Sequence, residues 1–332
     1  MVEDQDTLFF LCEFHIRRTI VEERHFGAVW FIPGENKGKY PFCHSVYIDG
    51  AGILIDPASD RKRLEEIRDR YGVKAVWLSH WHEDHFTHLD LFEDVPLWIS
   101  HADAPPLSDL EVLLDWYGLH DCEQREYWRQ VIIHQFRFRP RRPYGFLRNG
   151  DTIRLDTLTV DVIASPGHTP GHTAFFFREP AALFLGDYDL TRFGPWYGDT
   201  YSSIEETISS IERLKKIPAH VWLTGHETGI FEQPPKELWN QYEQVIYERE
   251  GRLLKALDSP KSLDDIVNLY LVYGRSREPR AFFEFGERAL MKKHLEFLAR
   301  RGMVQFKNGC YAKTPDDLSQ YLQAHTCSSG KV

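Results

Sequence analysis

Cysteine is scarce in this sequence, and its five residues are scattered at positions 12, 43, 122, 310 and 327. No two of them form a CxxC pair, which argues against a zinc site built from cysteine alone, and their odd number argues against a disulfide framework. The chain also lacks a run of the roughly 18 apolar residues that a membrane span needs. The first ten residues, MVEDQDTLFF, lack the basic-then-apolar order of a signal peptide. These absences predict a cytoplasmic protein without a membrane partner.

Positive charge is outnumbered by negative charge, with 40 Lys and Arg against 50 Asp and Glu, so the formal net charge is −10. This balance argues against nonspecific coating of nucleic acid by the whole surface, although a local basic patch would be compatible with it. A chain of 332 residues with 42% hydrophobic content can bury a large core, and its length favours two domains over one.

Strand-like and helix-like patterns alternate over the first 230 residues, which predicts a mixed α/β domain. The dipeptide Pro234-Pro235 interrupts this alternation, and a long charged helix is expected over about 236–257. We therefore predict a catalytic domain over residues 1–233 and a second domain over residues 234–332.

The predicted second domain has the pattern helix, helix, hairpin. Ser262 is the expected N-cap of a helix over 263–274, with Asp265 at the capping-box position. A second helix is expected over 286–302, followed by a hairpin whose turn is Asn308-Gly309.

The segment SHWHEDH, residues 79–85, places three histidines and two acids directly after an apolar run. His80 and His82 are two positions apart, so on a loop after a strand they can project to the same side. Asp84 and His85 lie one turn further on and can face a neighbouring point. This spacing is typical of metal ligands, although single histidines are more often surface or core residues.

Further candidate ligands occur where other predicted strands end, in the segments SPGHTPGH, LFLGD and VWLTGH. Loops at strand ends are where a rigid sheet presents reactive groups. Imidazole with carboxylate favours zinc, iron or manganese over calcium, and five histidines with two acids suit two metals that share one carboxylate. The predicted metal ligands are His80, His82, Asp84, His85, His168, Asp187 and His226.

Together, HWHEDH, PGHTPGH, GD and GH resemble the motifs of the metallo-β-lactamase superfamily, in its glyoxalase II-like and lactonase-like branch. The resemblance spans about residues 28 to 230 and includes FCHSVYIDGAGILIDPA, which is similar to the family's early strand pair ending in an aspartate, here Asp56. It implies a four-layer αββα sandwich with the metals at one edge of the two sheets, followed here by a smaller helical, winged-helix-like domain.

The resemblance also implies roles for the ligands. His80, His82 and His168 would bind the first metal, Asp84, His85 and His226 the second, and Asp187 would bridge both. Two divalent metals, zinc by preference, can hold a hydroxide that is a nucleophile at neutral pH, and Asp84 would orient it. The expected function is a dinuclear hydrolase of a small ester, thioester or lactone.

Two other activities remain open. The C-terminal region resembles the domain found in a lactamase-like endoribonuclease group, where Lys292, Lys293, Arg300 and Arg301 would contact phosphate. The acidic total favours instead a domain that packs against the catalytic one or mediates a homodimer. An iron-dependent sulfur dioxygenase is the other alternative, since the superfamily includes such members with one iron.

Several side chains near these motifs are not assigned as metal ligands. His172 is expected to shape its loop by hydrogen bonds, and Glu83 is given no catalytic role. The aromatic residues that follow Asp187 are expected either to line the pocket or simply to pack; they are Tyr188, Trp196 and Tyr197. The arginine-rich segment 137–148 is interpreted as a solvated loop. The alternative is that its arginines bind an anionic substrate.

Overall fold

The structure is a computed structural model that describes residues 21–156 and 158–314. The predictions about the first ten residues, and those on Cys12 and Cys327, lie outside the described residues. None of the helices in the described part of the chain has the length and apolar character needed to cross a bilayer.

Fifteen strands occur in the described residues and are numbered in chain order. They are β1 (Arg24–Phe26), β2 (Val29–Ile32), β3 (Ser45–Ile48), β4 (Ile53–Ile55), β5 (Ala75–Trp77), β6 (Leu97–Ser100), β7 (Gly145–Leu147), β8 (Thr152–Arg154), β9 (Thr159–Ala164), β10 (Thr173–Phe177), β11 (Ala182–Phe184), β12 (Val221–Leu223), β13 (Ile230–Phe231), β14 (Val304–Lys307) and β15 (Cys310–Lys313).

Eight α-helices occur in the same part of the chain, together with four short 3-10 turns. The helices are α1 (Arg61–Arg70), α2 (Pro105–Ser108), α3 (Leu110–Trp116), α4 (Cys122–His134), α5 (Ile204–Leu214), α6 (Lys236–Ala256), α7 (Leu263–Val267) and α8 (Arg280–Arg300).

Two sheets form the centre of the structure. The first has the order β1-β2-β3-β4-β5-β6-β7 and the second β13-β12-β11-β10-β9-β8. Their facing surfaces enclose one apolar core, which includes Phe31 and Trp77 from the first sheet and Phe175 and Leu223 from the second. The outer face of the first sheet packs on α1, α3 and α4, and that of the second on α5, α6 and α8. The predicted αββα sandwich is therefore confirmed.

Local sequence signals account for the helix and strand boundaries around the sandwich. Asp60 caps α1 by accepting from the Arg63 amide at 2.8 Å, and the buried Leu64 and Ile67 place one face of the helix on the sheet. The strands β3 and β4 pair antiparallel with Val46 opposite Ile55, as the turn at Asp49-Gly50 predicts.

Residues 234–314 form three helices and the hairpin β14–β15. The capping box of Ser262 and Asp265 is present, and Asn308 and Gly309 at the hairpin turn both have positive φ, as a type I′ turn requires. The predicted helix over 263–274 is too long, because α7 ends at Val267. Beyond it, the amides of Val272 and Tyr273 donate to the buried Glu287 carboxylate instead of to helix carbonyls.

This C-terminal region shares a core with the sandwich as well as having its own. Trp239 and Tyr242 of α6 and Leu290 of α8 pack on the second sheet, whereas Leu253 and Met291 belong to a separate small cluster with the hairpin. The domain division at residue 233 and the winged-helix likeness remain predictions. The packing shows that α8 covers part of the sandwich.

Candidate metal centre

The predicted ligands lie at one edge of the two sheets because of strand direction. The strands β9, β11 and β12 run the same way, since β10 is antiparallel to β9 and to β11, and β11 is parallel to β12. The loops that follow these three strands therefore emerge at one edge of the second sheet. The loop after β5 emerges next to them from the first sheet and carries the residues of the SHWHEDH motif.

Three imidazoles form one compact group of donor atoms. The Nε2 atoms of His80 and His168 are 3.1 Å apart, and Nδ1 of His82 lies 3.1 Å from the first and 2.9 Å from the second. All three side chains are at least 93% buried. A tetrahedral zinc ion with Zn–N bonds of about 2.0–2.1 Å holds its ligand nitrogens about 3.3 Å apart, so this triangle suits such an ion with little adjustment.

A second group lies beside the first. Nε2 of His226 is 3.4 Å from Oδ2 of Asp84 and 3.3 Å from Oδ1 of Asp187. Nε2 of His85 lies 2.8 Å from the same Asp187 oxygen. Two imidazoles and two carboxylates therefore converge on a neighbouring point.

Asp187 connects the two groups. Its Oδ2 atom lies 3.3 Å from His168 Nε2 and 3.8 Å from His80 Nε2, while its Oδ1 atom faces His85 and His226. Oδ1 is buried and has no hydrogen-bond partner, although two imidazole nitrogens are close to it. A buried carboxylate oxygen without a hydrogen bond is costly unless a cation binds it, so the residues present fit a pair of metal ions.

Each of the five histidines has a polar atom within 3.0 Å of its other ring nitrogen. Such outer partners fix the tautomer and the direction of the lone pair that faces the metal. The partners are Ser79 Oγ for His80, Asp199 Oδ2 for His82, Asp56 Oδ2 for His85, the Trp196 carbonyl for His168, and the Gly38 and Phe42 carbonyls for His226.

The electrostatics of the first group follow from burial and from these partners. Burial lowers the pKa of His168 to about 4 and that of His80 well below its ordinary value, so both are neutral at pH 7. Burial would also lower the pKa of His82, but the Asp199 carboxylate raises it to about 9. Neutral imidazole is the metal-binding form, so two of the three donors are ready without losing a proton.

In the second group, the pKa shifts are set by interactions between acidic groups and the two histidines. Burial would raise the pKa of Asp187, but His85 and His226 hold it well below its ordinary value, so the shared ligand stays ionised. Although burial opposes it, Cys43 and then Asp187 raise the pKa of His85 well above its ordinary value, and Asp187 does the same for His226. Binding of a metal by these two histidines therefore competes with binding of a proton.

Four residues near the centre were missed or left without a role by sequence reasoning. Cys43 is buried, with Sγ 3.5 Å from His85 Nδ1. Asp199 contacts His82 from 117 residues away, and Asp103 accepts from Thr169 Oγ1 and the Gly171 amide in the PGHTPGH loop. Glu83 is 3% exposed and accepts from two tyrosine hydroxyls. No local spacing signals these contacts.

The other side chains singled out in the sequence have defined environments. His172 accepts from the Asp187 amide through Nε2, so its expected role in shaping the loop is confirmed. Tyr188 and Tyr197 are fully buried and pack, whereas Trp196 is half-buried at the edge of the site. In the arginine-rich segment, Arg139 pairs with Glu93.

Comparison with known proteins agrees with the geometry. The model of the metallo-beta-lactamase superfamily matches residues 40–226, more than half of the chain. The protein therefore belongs to the metallo-beta-lactamase superfamily.

Curated relatives include glyoxalase II-like enzymes. A hydroxyacylglutathione hydrolase of Methylococcus capsulatus is 40% identical over 74 residues, which are 22% of this chain and 28% of that protein. An acyl-coenzyme A thioesterase of Gallus gallus is 29% identical over 195 residues, 54% of this chain and 65% of that protein. The chain thus spans less than two thirds of the length of either relative.

A solved structure extends the likeness in fold. A metallo-beta-lactamase family protein of Thermus thermophilus superposes with a TM-score of 0.64 at 23% identity. The match covers 86% of this chain and 99% of that protein. The similarity in fold therefore extends well beyond the part of the chain that the family model matches.

Proposed function

We propose that the protein is a dinuclear metal-dependent hydrolase that cleaves thioesters. The observation that carries the proposal is the position of Asp187, whose two carboxylate oxygens face two separate groups of buried donors. The proposed ligands are those predicted from the sequence, with His80, His82 and His168 at the first metal and Asp84, His85 and His226 at the second. Zinc is the proposed metal at both sites.

The choice of thioesters rests on the relatives. One is named a hydroxyacylglutathione hydrolase and the other an acyl-coenzyme A thioesterase, and their substrates share the thioester bond while differing in the thiol. The thioester bond is therefore the most specific substrate feature that both names support. Esters and lactones would need the same carbonyl chemistry.

The proposed mechanism assigns positioning and proton transfer to this chain's own residues. When bound, the two metals would supply Lewis acidity, which polarises a carbonyl and lowers the pKa of water toward about 7. The outer partners hold the imidazoles rigid while charge develops on the substrate. Asp84 is 3% exposed and lies beside His226, so its carboxylate can orient the attacking water and accept its proton.

The overall reaction balances without any further reagent. The oxygen of water forms a bond to the thioester carbonyl carbon, and the carbon–sulfur bond breaks. The thiol leaves with one proton, and the acid leaves as its carboxylate with release of the other.

The nuclease alternative finds little support in the C-terminal region. At least three of the four residues proposed to contact phosphate have internal partners, and one of them, Arg301, lies 4.1 Å over the Phe297 ring. Lys293 is 9% exposed and donates to the Thr200 carbonyl, and Arg300 pairs with Glu205. A phosphate would have to compete with these contacts, which favours a packing role for α8.

The metal content gives the first test. Protein purified with added zinc and then dialysed is expected to carry about two zinc ions per chain, because the two donor groups are complete. Elemental analysis of the full-length chain measures this ratio. One tightly held iron and no second metal would instead support the sulfur dioxygenase.

The substrate class is tested on the zinc-loaded protein. We expect hydrolysis of acyl-coenzyme A or S-lactoylglutathione, followed by thiol release with a thiol-reactive dye, and loss of that activity with a chelator. A phosphodiester, bis-p-nitrophenyl phosphate, and a lactone serve as comparison substrates. Turnover of the phosphodiester with every thioester left intact would overturn the proposed function.

A further inference from the structure

Six aromatic side chains form a connected surface beside the metal centre, which we name the aromatic rim. Its members come from the loop before β3, from α4 and the residue after α3, from the loop before α5 and from the first two turns of α8. They are Tyr40, Tyr117, Trp128, Trp196, Phe282 and Phe285. The surface therefore brings together parts of the chain that are far apart in sequence.

The rim is continuous from ring to ring. Phe285 lies with its centroid 5.4 Å from Trp128, 6.1 Å from Tyr117 and 6.3 Å from Trp196. Phe282 continues the series at 5.9 Å from Trp128 and 5.5 Å from Tyr40. Distances in this range are those of packed aromatic pairs.

The rim is fixed to the metal ligands at three points. The ring of Tyr117 stacks on His82 at 5.7 Å with an interplanar angle of 12°. The hydroxyls of Tyr40 and Tyr117 both donate to Glu83, which lies between two proposed ligands in the sequence. The Trp196 carbonyl accepts from His168 Nδ1 at 3.0 Å. The rim is therefore adjacent to the centre and held in a fixed position relative to it.

The rim lies at the edge of the core on the outer face of the first sheet. Trp128 is 5% exposed and belongs to that core, while Tyr117, Phe282 and Phe285 are partly buried against it. Tyr40 is 38% exposed, and the two phenylalanines of α8 are only half-buried. Accessible aromatic surface next to a buried polar centre provides an apolar binding site whose polar end is the metal pair.

We propose that the aromatic rim binds the acyl chain of the substrate, so that the protein prefers thioesters with extended apolar acyl groups, such as octanoyl, over acetyl thioesters. The inference rests on the proposed thioesterase function and adds its acyl specificity. The chain would lie against Phe282 and Phe285 while the carbonyl faces the metals. In this arrangement α8 determines specificity and the sandwich carries out the chemistry.

The test is the dependence of kcat/KM on acyl length, measured with acetyl-, butyryl-, hexanoyl- and octanoyl-coenzyme A. Each buried methylene is expected to raise kcat/KM by on the order of fourfold. Octanoyl-coenzyme A has six methylenes more than acetyl-coenzyme A, so burial of half of them would give a ratio of roughly 60-fold and burial of all six roughly 4,000-fold. The thiol is the same throughout, so the ratio reports the acyl group alone.

Substitutions in the aromatic rim test whether this surface binds the acyl chain. Phe285→Ala and Phe282→Ala are each expected to lower the octanoyl-to-acetyl ratio of kcat/KM about tenfold. Each substitution removes aromatic surface that the acyl chain would contact. Phe306→Ala is the matched control, since Phe306 is 62% exposed on β14 and contacts Tyr311 rather than the rim. It should keep the parental ratio.

A second substitution covers the case in which an alanine variant fails to fold. Phe282→Trp retains the apolar packing but fills the space beside Tyr40, and it should shift the preferred acyl length to fewer carbons.

The possible failures separate the two proposals. A parental octanoyl-to-acetyl ratio near one, or a large ratio that all rim variants keep, would overturn the acyl assignment and leave the thioesterase function standing. If the zinc-loaded protein hydrolysed no thioester of any length, the proposed function would be refuted and this inference with it.

Discussion

Replacing Asp187 by alanine is expected to lower kcat/KM for a thioester by at least about 10³-fold, beyond the about 10- to 100-fold loss typical of an outer partner. The reason is that one carboxylate faces both donor groups, with Oδ2 toward His168 and Oδ1 toward His85. In the proposed centre, its removal would take one ligand from each metal and remove the group that bridges them. Zinc content should fall below two per chain.

The fold should survive this substitution. The backbone contacts of Asp187, to His172 and Tyr242, do not need the side chain. Without the Asp187 carboxylate, His85 still lies beside Asp56 and His226 beside Asp84. The melting temperature of the metal-free variant should stay within about 4 °C of the parent. Asp258→Ala is the control, because Asp258 is exposed and pairs with Lys313 of the hairpin. Parental activity in a zinc-loaded Asp187→Ala variant would exclude the bridging role.

The second large effect is expected at Asp199, a positioning residue that acts through His82. Its Oδ2 atom lies 2.7 Å from His82 Nε2, and its Oδ1 atom accepts from Trp196 Nε1 at 3.2 Å. Asp199→Ala should weaken zinc binding at the first site by about 10- to 100-fold, since a buried imidazole then loses the carboxylate that orients it. Asp199→Asn keeps the size and one acceptor, so its effect should be smaller.

Competition with a chromophoric zinc chelator measures this loss directly, without relying on turnover. Asp161→Asn is a suitable control, because Asp161 pairs with Arg178 on the surface of β9. Saturating zinc should restore most of the activity of Asp199→Asn, as expected for a residue that does not touch the substrate. Unchanged zinc affinity in both Asp199 variants would show that the His82 contact has no functional role.

Local sequence was sufficient to predict candidate ligand residues, which the structure brings together, and most of the elements that carry them. The spacing of His80, His82 and His85 is a short-range property, and the apolar runs before His168 and His226 predict strands whose ends project side chains. The turns at Asp49-Gly50 and Asn308-Gly309 and the cap at Ser262 follow from the chemistry of two or three residues. Such signals need no knowledge of the rest of the chain.

The length of α7 could not be predicted from the local sequence in the same way. The apolar spacing after Ser262 continues past Val267, but the Glu287 carboxylate on α8 takes the amides of Val272 and Tyr273. A tertiary contact thus replaced a local preference, which is the usual reason for a helix that ends early.

The sequence by itself predicted the candidate donors and a mixed α/β domain, because ligand spacing and strand periodicity are encoded within a few neighbouring residues. The αββα sandwich and the division of the donors into two sets were implied by the resemblance to the metallo-β-lactamase superfamily. Only the tertiary structure decided how the donors are supported and what surrounds them. Asp199 reaches His82 across 117 residues, and α8 brings Phe282 and Phe285 to the aromatic residues beside the site. Contacts between residues so far apart leave no periodic pattern, since they depend on how helices and loops pack after the sheets have formed.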